Sequence, residues 1–210
     1  MSIRYEVCVD SVEGVLAAER AGADRAELCA NLFEGGTTPT LGTVVTTMAA
    51  VSSIRVHVII RPRGGDFVFD RYEVDAMVRD VAAVREAGAH GVVIGALTPL
   101  ERLVELGVHR VLTSGQEPSV LEGAPLIAEL VKRAGDRIVV LPGGGITERN
   151  AARIVAETGV TELHFAAFVS AESPATHRNP HVYMGGELRQ PEYSRKITSA
   201  DRIAAVMRTP

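Results

Sequence analysis

A short phrase recurs along the 210-residue chain wherever a helical pattern gives way to an apolar strand. Each copy places Gly after a small or apolar residue, and a strand begins two or three residues later. Glycine suits this position because it closes a helix in a left-handed turn that a side chain would disfavour. Repeated returns from helix to strand predict a β/α architecture. The glycines of the five copies are Gly22, Gly88, Gly107, Gly135 and Gly159.

The same patterns predict seven strands and seven helices in alternation. A closed barrel of the TIM type usually has eight of each, in about 250 residues. We therefore predict one domain over residues 1–210, a TIM-type β/α barrel that is shortened by about one βα unit. The predicted strands are Ile3–Cys8, Arg25–Cys29, Arg55–Ile60, Gly91–Gly95, Arg110–Thr113, Ile138–Leu141 and Glu162–Phe165. The predicted helices are Val12–Ala21, Leu41–Val51, Tyr72–Ala87, Leu100–Leu106, Val120–Ala134, Glu148–Thr158 and Asp201–Met207.

The shortening can be located from the spacing of the glycines that end helices. Gly107, Gly135 and Gly159 follow one another at intervals of 28 and 24 residues, whereas Gly88 precedes Gly107 by only 19. That interval must hold a strand, a loop and a helix, so the helix is left with about two turns. The missing unit is therefore predicted near Pro99-Leu100.

Loss of one strand leaves open how the barrel closes between Gly91–Gly95 and Arg110–Thr113. Those strands could pair directly, a partner chain could cover the gap, or the gap could stay open. We expect direct pairing, because a short helix can still make a right-handed crossover. An open doubly wound sheet is the alternative architecture. It ranks lower because the glycine-rich signals lie late in the chain, where barrels place phosphate sites.

Composition narrows the compartment and the partners. Apolar residues make up 46% of the chain and Trp is absent, so Val, Ala, Leu and Ile must fill the core, as they do around buried parallel strands. The net charge of −4, without a basic block, argues against nucleic acid as a partner. No apolar run reaches the roughly 18 residues of a membrane span. Two cysteines are too few for a disulfide framework, and no signal-peptide core is evident, so we expect a cytoplasmic protein.

Two predicted strands carry the same Glu-x-Cys pattern, Glu6 with Cys8 and Glu27 with Cys29. Alternation along a strand puts both members of each pair on one face. If that face is the barrel interior, two carboxylates and two thiols converge there, as candidate acid/base and metal-binding groups. Thiolates select soft metals such as Cu(I) or Zn, so copper is a possible cofactor. The alternative is that both cysteines are small buried hydrophobes.

The segment Arg61-Pro62-Arg63-Gly64-Gly65-Asp66-Phe67 follows a strong strand and combines two arginines with a stiff Pro and two glycines. Guanidinium groups match carboxylate and phosphate geometry, so Arg61, Arg63 and Asp66 are candidate ligand-binding residues. Either arginine could instead pair with a strand glutamate. His57 and His164 are candidate catalytic residues, with satisfied core histidines as the alternative.

Two later loops also follow strands. Leu141–Thr147 contains Gly144 and Gly145, whose bare amides suit an anion, although a tight βα turn would use the same residues. Thr113 and Ser114 end the preceding strand and could hydrogen-bond a ligand. The segment Ala171–Lys196 is interpreted as a long functional loop. Because barrels build their sites at the carboxyl ends of strands, we expect one cavity there, shared by Glu6, Glu27, Arg61, Arg63 and His164.

At these residues the sequence resembles the CutC family, long labelled copper homeostasis proteins, over nearly the whole chain. The most distinctive piece is Arg61–Phe67. The others are Gly22–Arg25 with Glu27–Cys29, Glu34–Gly36 with Thr38-Pro39 and Gly42, Arg110–Gly115, and Tyr193–Arg195. The resemblance implies a TIM-type barrel, a cytoplasmic location, a homodimer and a role in copper handling.

Two departures from the family pattern stand out. Relatives carry a helix and then a strand with a Phe-His-Arg motif after the fourth strand, and this chain passes directly from Thr98-Pro99 to Leu100. That difference removes a rim His and Arg, and it coincides with the shortening found from the glycine spacing. Relatives also usually place a small hydroxyl where this chain has Ala166.

Three hypotheses of function follow. In the first, a CutC-like barrel binds copper or a small anionic ligand at its rim. In the second, a barrel enzyme acts on a small polar or phosphorylated metabolite, with Glu6 or Glu27 as acid/base, the arginines as an anion clamp and the glycine amides as a cradle. In the third, the chain keeps only a dimerising scaffold.

Overall fold

The computed structural model of the chain describes residues 2–95, 98–179, 181 and 191–210. Its strands are β1 (Arg4–Val9), β2 (Arg25–Leu28), β3 (Arg55–Ile60), β4 (Gly91–Ile94), β5 (Arg110–Thr113), β6 (Val139–Pro142), β7 (Glu162–Phe165), β8 (Phe168–Glu172) and β9 (Ser194–Thr198). Its α helices are α1 (Val12–Arg20), α2 (Leu41–Ala50), α3 (Arg71–Glu86), α4 (Leu100–Glu105), α5 (Ala124–Ala134), α6 (Ala151–Thr158) and α7 (Ala200–Met207). A short 3-10 helix spans Leu32–Glu34.

The first seven strands form the parallel array of a TIM-type β/α barrel. Five of them pair in the order β4-β3-β2-β1-β7, and β5 pairs with β6. A parallel bridge between Gly143 and His164 places the end of β6 beside β7. The predicted strands are all present with bounds within one residue, and the prediction of a shortened seven-stranded barrel is confirmed. Among the helices of the described residues, none combines the length and apolar character needed to cross a bilayer.

Alternation along the central strands separates an apolar layer from a polar interior. On β1, Tyr5, Val7 and Val9 belong to the hydrophobic core that the helices cover. Glu6 and Cys8 occupy the intervening positions and contact other strands from inside the barrel. The main apolar core therefore lies between the strands and the helices, and the charged and sulfur-containing side chains lie in the barrel interior.

The expected direct pairing of β4 with β5 is wrong. Within the described residues these strands share no ladder, and each ends its own part of the array. We call the space between them the seam. Apolar side chains beside it are partly exposed, with Val92 at 39%, Ile94 at 50% and Leu112 at 40%. Closure would change the strand tilt and narrow the interior, which buried charged side chains already fill.

The predicted long loop over 171–196 is wrong at both of its ends. β8 and β9 pair antiparallel as a hairpin, with Val169 opposite Ile197. Ser199 then begins α7 as its N-cap, and its hydroxyl accepts a hydrogen bond from the Arg202 amide. The missed signal is the alternation of apolar and polar residues in Val169–Glu172 and Lys196–Thr198. Residues 180 and 182–190 lie outside the described part of the chain.

Backbone groups of β4 and β5 face the seam in alternation. In a parallel ladder, every second residue directs its N–H and C=O toward the same neighbour. The His90 amide donates to Val56 O, so Val92 continues the bonding to β3 and Val93 faces the seam. The Val139 amide donates to His109 O, so Val111 bonds to β6 and Leu112 faces the seam by the same alternation.

This geometry predicts hydrogen exchange that alternates along each edge strand. In dilute protein, the amides of Val93 and Leu112 should exchange at least about tenfold faster than those of Val92 and Val111, because only the latter have backbone acceptors. Amide exchange followed by NMR measures all four within one sample, and the neighbouring residues serve as internal controls. Equal protection along each strand would mean that the seam is closed or covered.

Candidate functional site

A buried ion network lies at the amino-terminal end of the barrel interior. Arg25 Nε donates to Glu6 Oε2 at 2.8 Å, and Arg25 Nη2 donates to Glu162 Oε2 at 2.5 Å. Arg110 Nε donates to the same Glu162 oxygen at 2.8 Å, and Arg110 Nη2 donates to Glu162 Oε1 at 3.1 Å. Arg25, Glu6 and Glu162 are each at most 3% exposed. Every one of these buried charges therefore has an opposite charge beside it, as burial requires.

Glu6 joins this network to the middle of the interior. Its Oε1 lies 2.9 Å from His164 Nδ1, and its Oε2 lies 3.5 Å from His57 Nδ1. Burial by itself would raise the pKa of Glu6. The hydrogen bonds with His164, His57 and Arg25 outweigh burial and hold that pKa well below its usual range. Glu6 is therefore a fixed carboxylate that orients the two imidazoles.

His164 lies between two carboxylates. Its Nδ1 contacts Glu6, and its Nε2 lies 3.7 Å from Glu27 Oε2. Burial would lower the pKa of His164, but the charge of Glu27 and the contacts with Cys8 and Glu6 raise that pKa well above its ordinary value. The imidazolium form is therefore favoured, and Nε2 is the ring nitrogen left for a proton transfer or a metal.

The two cysteines meet where β1 and β2 end. Cys8 Sγ lies 3.8 Å from Cys29 Sγ, and the Cys29 thiol lies 3.5 Å from Glu27 Oε2. The hydrogen bond from Cys29 lowers the pKa of Cys8, aided by His164. Donation to Cys8, burial and the charge of Glu27 all raise the pKa of Cys29. The expected approach of the two thiols is confirmed, and Cys8 is the sulfur that ionises first.

Besides the two thiols, a set of three different side chains that includes Cys8 could hold a metal ion. The ligand atoms of Cys8, Glu27 and His164 all lie within 4.8 Å of one another. Cys8 therefore belongs both to the thiol pair and to this mixed group of sulfur, oxygen and nitrogen donors.

A cavity of about 360 Å³ opens above these residues. Its floor includes Cys8 and His164, and its wall is the loop that follows β6. In that loop Gly144 and Gly145 adopt φ angles of 124° and 77°, which other residues rarely adopt. The lining residues are Cys8, Gly144, Gly145, Ile146, Thr147, His164, Phe165 and Ala166.

Arg61 lies at the same end of the barrel, but its guanidinium group binds loop carbonyls. Its Nη1 donates to Glu34 O at 2.8 Å and to Gly36 O at 3.0 Å, and its Nη2 donates to Gly65 O at 2.6 Å. The Phe67 ring stacks against it, with the guanidinium carbon 4.9 Å from the ring centroid. Arg61 therefore fixes the loops after β2 and β3 to each other and does not pair with a strand glutamate.

The convergence expected for Arg63 is wrong. Its Nε donates to Glu73 Oε1 at 2.6 Å, and Glu73 belongs to the capping box at the start of α3. Its Nη1 lies 3.3 Å from Asp66 Oδ1, and Asp66 is itself mostly exposed. Arg63 is therefore held outside the barrel interior by Asp66 and Glu73, which lie close to it in the sequence. Glu6, Glu27 and His164 do meet inside the barrel, but of the five expected residues only His164 lines the cavity.

Thr113 and Ser114 lie beside the loop after β6 that contains Gly144 and Gly145, which we call the glycine loop. Thr113 Oγ1 accepts a hydrogen bond from the Gly115 amide at 3.0 Å, and Thr113 O accepts one from the Gly143 amide. A Cβ atom added to Gly144 would lie 3.3 Å from Ser114 Cβ. These two residues therefore support the wall of the cavity from the neighbouring strand.

The comparisons with known proteins agree with this architecture. The model of the CutC family matches residues 3–99 and 97–169. A CutC family protein from Bacteroides thetaiotaomicron is 41% identical over an alignment of 236 positions, which covers 95% of each chain. The copper homeostasis protein cutC homolog of Homo sapiens is 43% identical over 234, covering 94% of this chain and 85% of the relative. This chain belongs to the CutC family.

Solved structures support the fold. The copper homeostasis protein CutC from Streptococcus agalactiae matches with a TM-score of 0.71 and 29% identity, covering 78% of this chain and 98% of that one. The phosphoribosyl anthranilate isomerase of Thermotoga maritima matches with a TM-score of 0.55 over 99% of this chain and 98% of the isomerase. At 11% identity, that second likeness concerns the fold alone.

The CutC pattern also locates the missing unit. The two matched stretches meet at 97–99, which is where the glycine spacing predicts the shortening. The alignment with the Bacteroides relative is longer than this chain, so that relative carries residues that this chain lacks. The two matched stretches therefore meet in the segment that connects β4 to α4, next to the seam.

Sequence reasoning missed the network partners Arg25, Arg110 and Glu162. Each of the three begins a strand. Two of them lie on the same strand face as a candidate residue, because Arg25 is two residues before Glu27 and Glu162 is two residues before His164. This alternation along the strand is the sequence signal that could identify Arg25 and Glu162 as interior residues. A charged residue at the first position of a strand looks like an exposed end, and only the barrel interior makes it buried.

Removal of Arg25 should destabilise the protein strongly. Arg25→Ala leaves two buried carboxylates without their shared cation, so we expect a loss of about 3–5 kcal/mol in the free energy of unfolding. The matched control is Arg20→Ala, because Arg20 makes its ion pair with Glu13 on the exposed face of α1 and should lose less than about 1 kcal/mol. Urea unfolding of both variants measures the difference. Equal losses would show that the buried network does not stabilise the fold.

Proposed function

We propose that this CutC protein acts in copper homeostasis by binding one Cu(I) ion between Cys8 and Cys29 at the carboxyl-terminal rim of its barrel. The observation that carries the proposal is the Sγ–Sγ distance of 3.8 Å between cysteines on neighbouring strands. The names of the relatives, which refer to copper homeostasis, support the same role.

The thiol geometry fits a single soft ion. Two thiolates that each lie about 2.3 Å from one metal, at a roughly tetrahedral angle, are about 3.8 Å apart. Thiolate ligands favour Cu(I) and Zn over hard cations. Cys8 lies on β1 and Cys29 directly follows β2, where its amide donates to Val9 O, so the pair is positioned before an ion arrives. This preorganisation distinguishes the site from two cysteines that merely fill a core.

His164 would be the third ligand. Its Nδ1 is held by Glu6, which is the arrangement by which a carboxylate commonly orients a metal-binding histidine. Its Nε2 faces Glu27 and Cys8 and would have to lose its proton to bind the ion. Metal binding would therefore release protons from His164 and from the Cys29 thiol. Two thiolates already outweigh the single positive charge of Cu(I), so the Glu27 carboxylate would add a further negative charge beside the ion.

The proposal extends to location and assembly. A reduced thiol pair requires a reducing compartment, and the cytoplasm supplies one. A homodimer, as the family resemblance implies, would bury part of the apolar surface that this chain exposes.

A second candidate function is an enzyme that acts on a small anionic metabolite. The observation that favours it is the chain of Glu6, His164 and Glu27, in which one carboxylate orients an imidazole and the other faces its free nitrogen. Such a chain can donate or accept a proton at the floor of a cavity. The same residues suit a metal site, so experiments must separate the two functions.

A Cu(I) titration against a competing chelator tests the copper proposal. The double variant Cys8→Ser, Cys29→Ser should bind Cu(I) at least about 100-fold more weakly than the wild type, because both thiolates are lost. If the imidazole is the third ligand, His164→Gln should weaken binding by about 10-fold or more, which is a smaller effect than that of the double cysteine variant. Ser119→Ala is the control, because Ser119 lies outside the donor groups and should leave the affinity unchanged.

Two results would contradict the copper proposal. Unchanged Cu(I) affinity in the double cysteine variant would show that the thiols are core residues only. Preference of the wild type for Zn over Cu(I) in a matched titration would assign the site to zinc.

A further inference from the structure

Three consecutive backbone amides in the loop after β6 have no acceptor. Within the described ranges, the N–H groups of Gly144, Gly145 and Ile146 make no hydrogen bond. The amides on either side are used, since Gly143 donates to Thr113 O and Thr147 donates to Asn150 Oδ1. The free donors are therefore confined to one short stretch, and the loop is anchored on both sides of it.

The carbonyl groups of the same stretch help to hold it in place. Gly144 O accepts from the Val120 amide, and Gly145 O accepts from Asn150 Nδ2. Positive φ angles at both glycines turn the chain sharply, a geometry that can gather successive N–H groups into a concave anion site. The loop is therefore preorganised, and the groups in it that lack a partner within the protein are N–H donors.

These residues line the same cavity as Cys8 and His164. Ile146 is buried at 4% exposure, so water reaches its surroundings mainly through the cavity. A cavity of about 360 Å³ is large enough for a small metabolite. Gly144 and Gly145 are exposed, so water meets their amides in the free protein, and an oxyanion bound there would take the place of that water.

The charges of the site set the orientation of such a ligand. The carboxylate of Glu27 lies at the floor, 3.7 Å from His164 Nε2, and would repel an anionic group placed there. Arg63 pairs with Glu73, and both terminal nitrogens of Arg61 bind loop carbonyls, so that of these side-chain nitrogens, among the described residues, only the buried Nε of Arg61 is left without a partner. The glycine loop offers backbone N–H donors to the cavity, whereas the floor offers a carboxylate. The anionic end of a ligand therefore belongs at the loop and its neutral end at the floor.

The distance between these two ends limits the size of the ligand. The loop follows β6, Cys8 lies on β1, and β7 separates them. Neighbouring strands lie about 4.8 Å apart, so loop and thiol are separated by about 10 Å. Three consecutive N–H donors also match the three terminal oxygens of a phosphate monoester better than the two oxygens of a carboxylate.

We propose that Gly144–Ile146 bind the phosphate group of a small phosphate monoester of about three to five carbons, whose uncharged end lies over His164 and Cys8. This inference rests on the second proposed function, because it names the substrate class on which the Glu6, His164 and Glu27 chain would act. It does not depend on copper binding.

NMR spectroscopy of the full chain tests the proposal directly. Inorganic phosphate and glycerol phosphate should each shift the amide signals of Gly144, Gly145 and Ile146 saturably, and glycerol phosphate should bind more tightly. The control amides are those of Gly22 and Gly159, which close helices away from the cavity. Acetate, titrated in parallel, should bind at least about tenfold more weakly. Equal shifts at the control glycines, or none at the loop, would overturn the proposal, and tighter binding of acetate would assign the loop to carboxylates.

A matched pair of variants at Thr147 gives a second measurement. Thr147 lines the cavity next to the loop, and its hydroxyl accepts from the Arg149 amide, a bond that either Asp or Asn can replace. Thr147→Asp adds a negative charge and should weaken phosphate binding at least about tenfold, whereas Thr147→Asn should stay within about threefold of wild type. Equal binding by the two variants would contradict an anion site at this loop.

The double variant Cys8→Ser, Cys29→Ser separates this proposal from the copper proposal. It should lose Cu(I) binding and keep the phosphate shifts at Gly144 and Gly145. If phosphate binds but glycerol phosphate is not transformed in a long incubation with the wild type, the anion site stands and the choice of that ester as substrate fails. If the phosphate shifts disappear with the thiols, the independent anion site is wrong.

Discussion

The contact of Arg25 with Glu6 and Glu162 is the interaction on which the rest of the interior depends. Three strands begin with or near these charges, so the network ties β1, β2 and β7 together at one end of the barrel. With its other oxygen, Glu6 orients His164, and His164 in turn faces Glu27 and Cys8. A structural ion pair at the amino ends of the strands thus fixes the direction of a reactive imidazole at their carboxyl ends. Buried ion pairs seldom add much net stability, but here one determines geometry.

The same polar interior accounts for the seam. A seven-stranded barrel could close by changing strand tilt, but its interior would then be narrower. Arg25, Glu162 and Arg110 occupy that interior as large side chains whose charges must stay paired. Separating these side chains would leave buried charges unpaired, which is strongly destabilising. The chain therefore keeps β4 and β5 apart, and the seam remains between them among the described residues.

Patterns within one strand were predictable from the sequence, and pairings between distant segments were not. Strand phase placed Glu6 with Cys8 and Glu27 with Cys29 on one face, and the structure brings these residues together because parallel strands in register align such faces. The partner of Glu6 was not predictable, since Arg61 and Arg25 are equally plausible cations until the loops are placed. Arg61 binds carbonyls of two loops whose conformations depend on glycines at positive φ. The closure of β4 on β5 depends on the volume of the whole interior, which no local pattern reports.

His164 links the two proposed functions, because both need the same nitrogen. A Cu(I) ion requires the lone pair of His164 Nε2, whereas acid catalysis requires a proton on that atom. Glu6 fixes Nδ1 in either case, so the ring does not need to turn in order to change role. Two carboxylates beside the ring favour the proton, and the neighbouring thiols favour a soft ion. Proton and copper would therefore compete at one site, and a barrel that is loaded with copper would have no acid at the floor of its cavity. If the protein is an enzyme, copper bound at this site would therefore inhibit it.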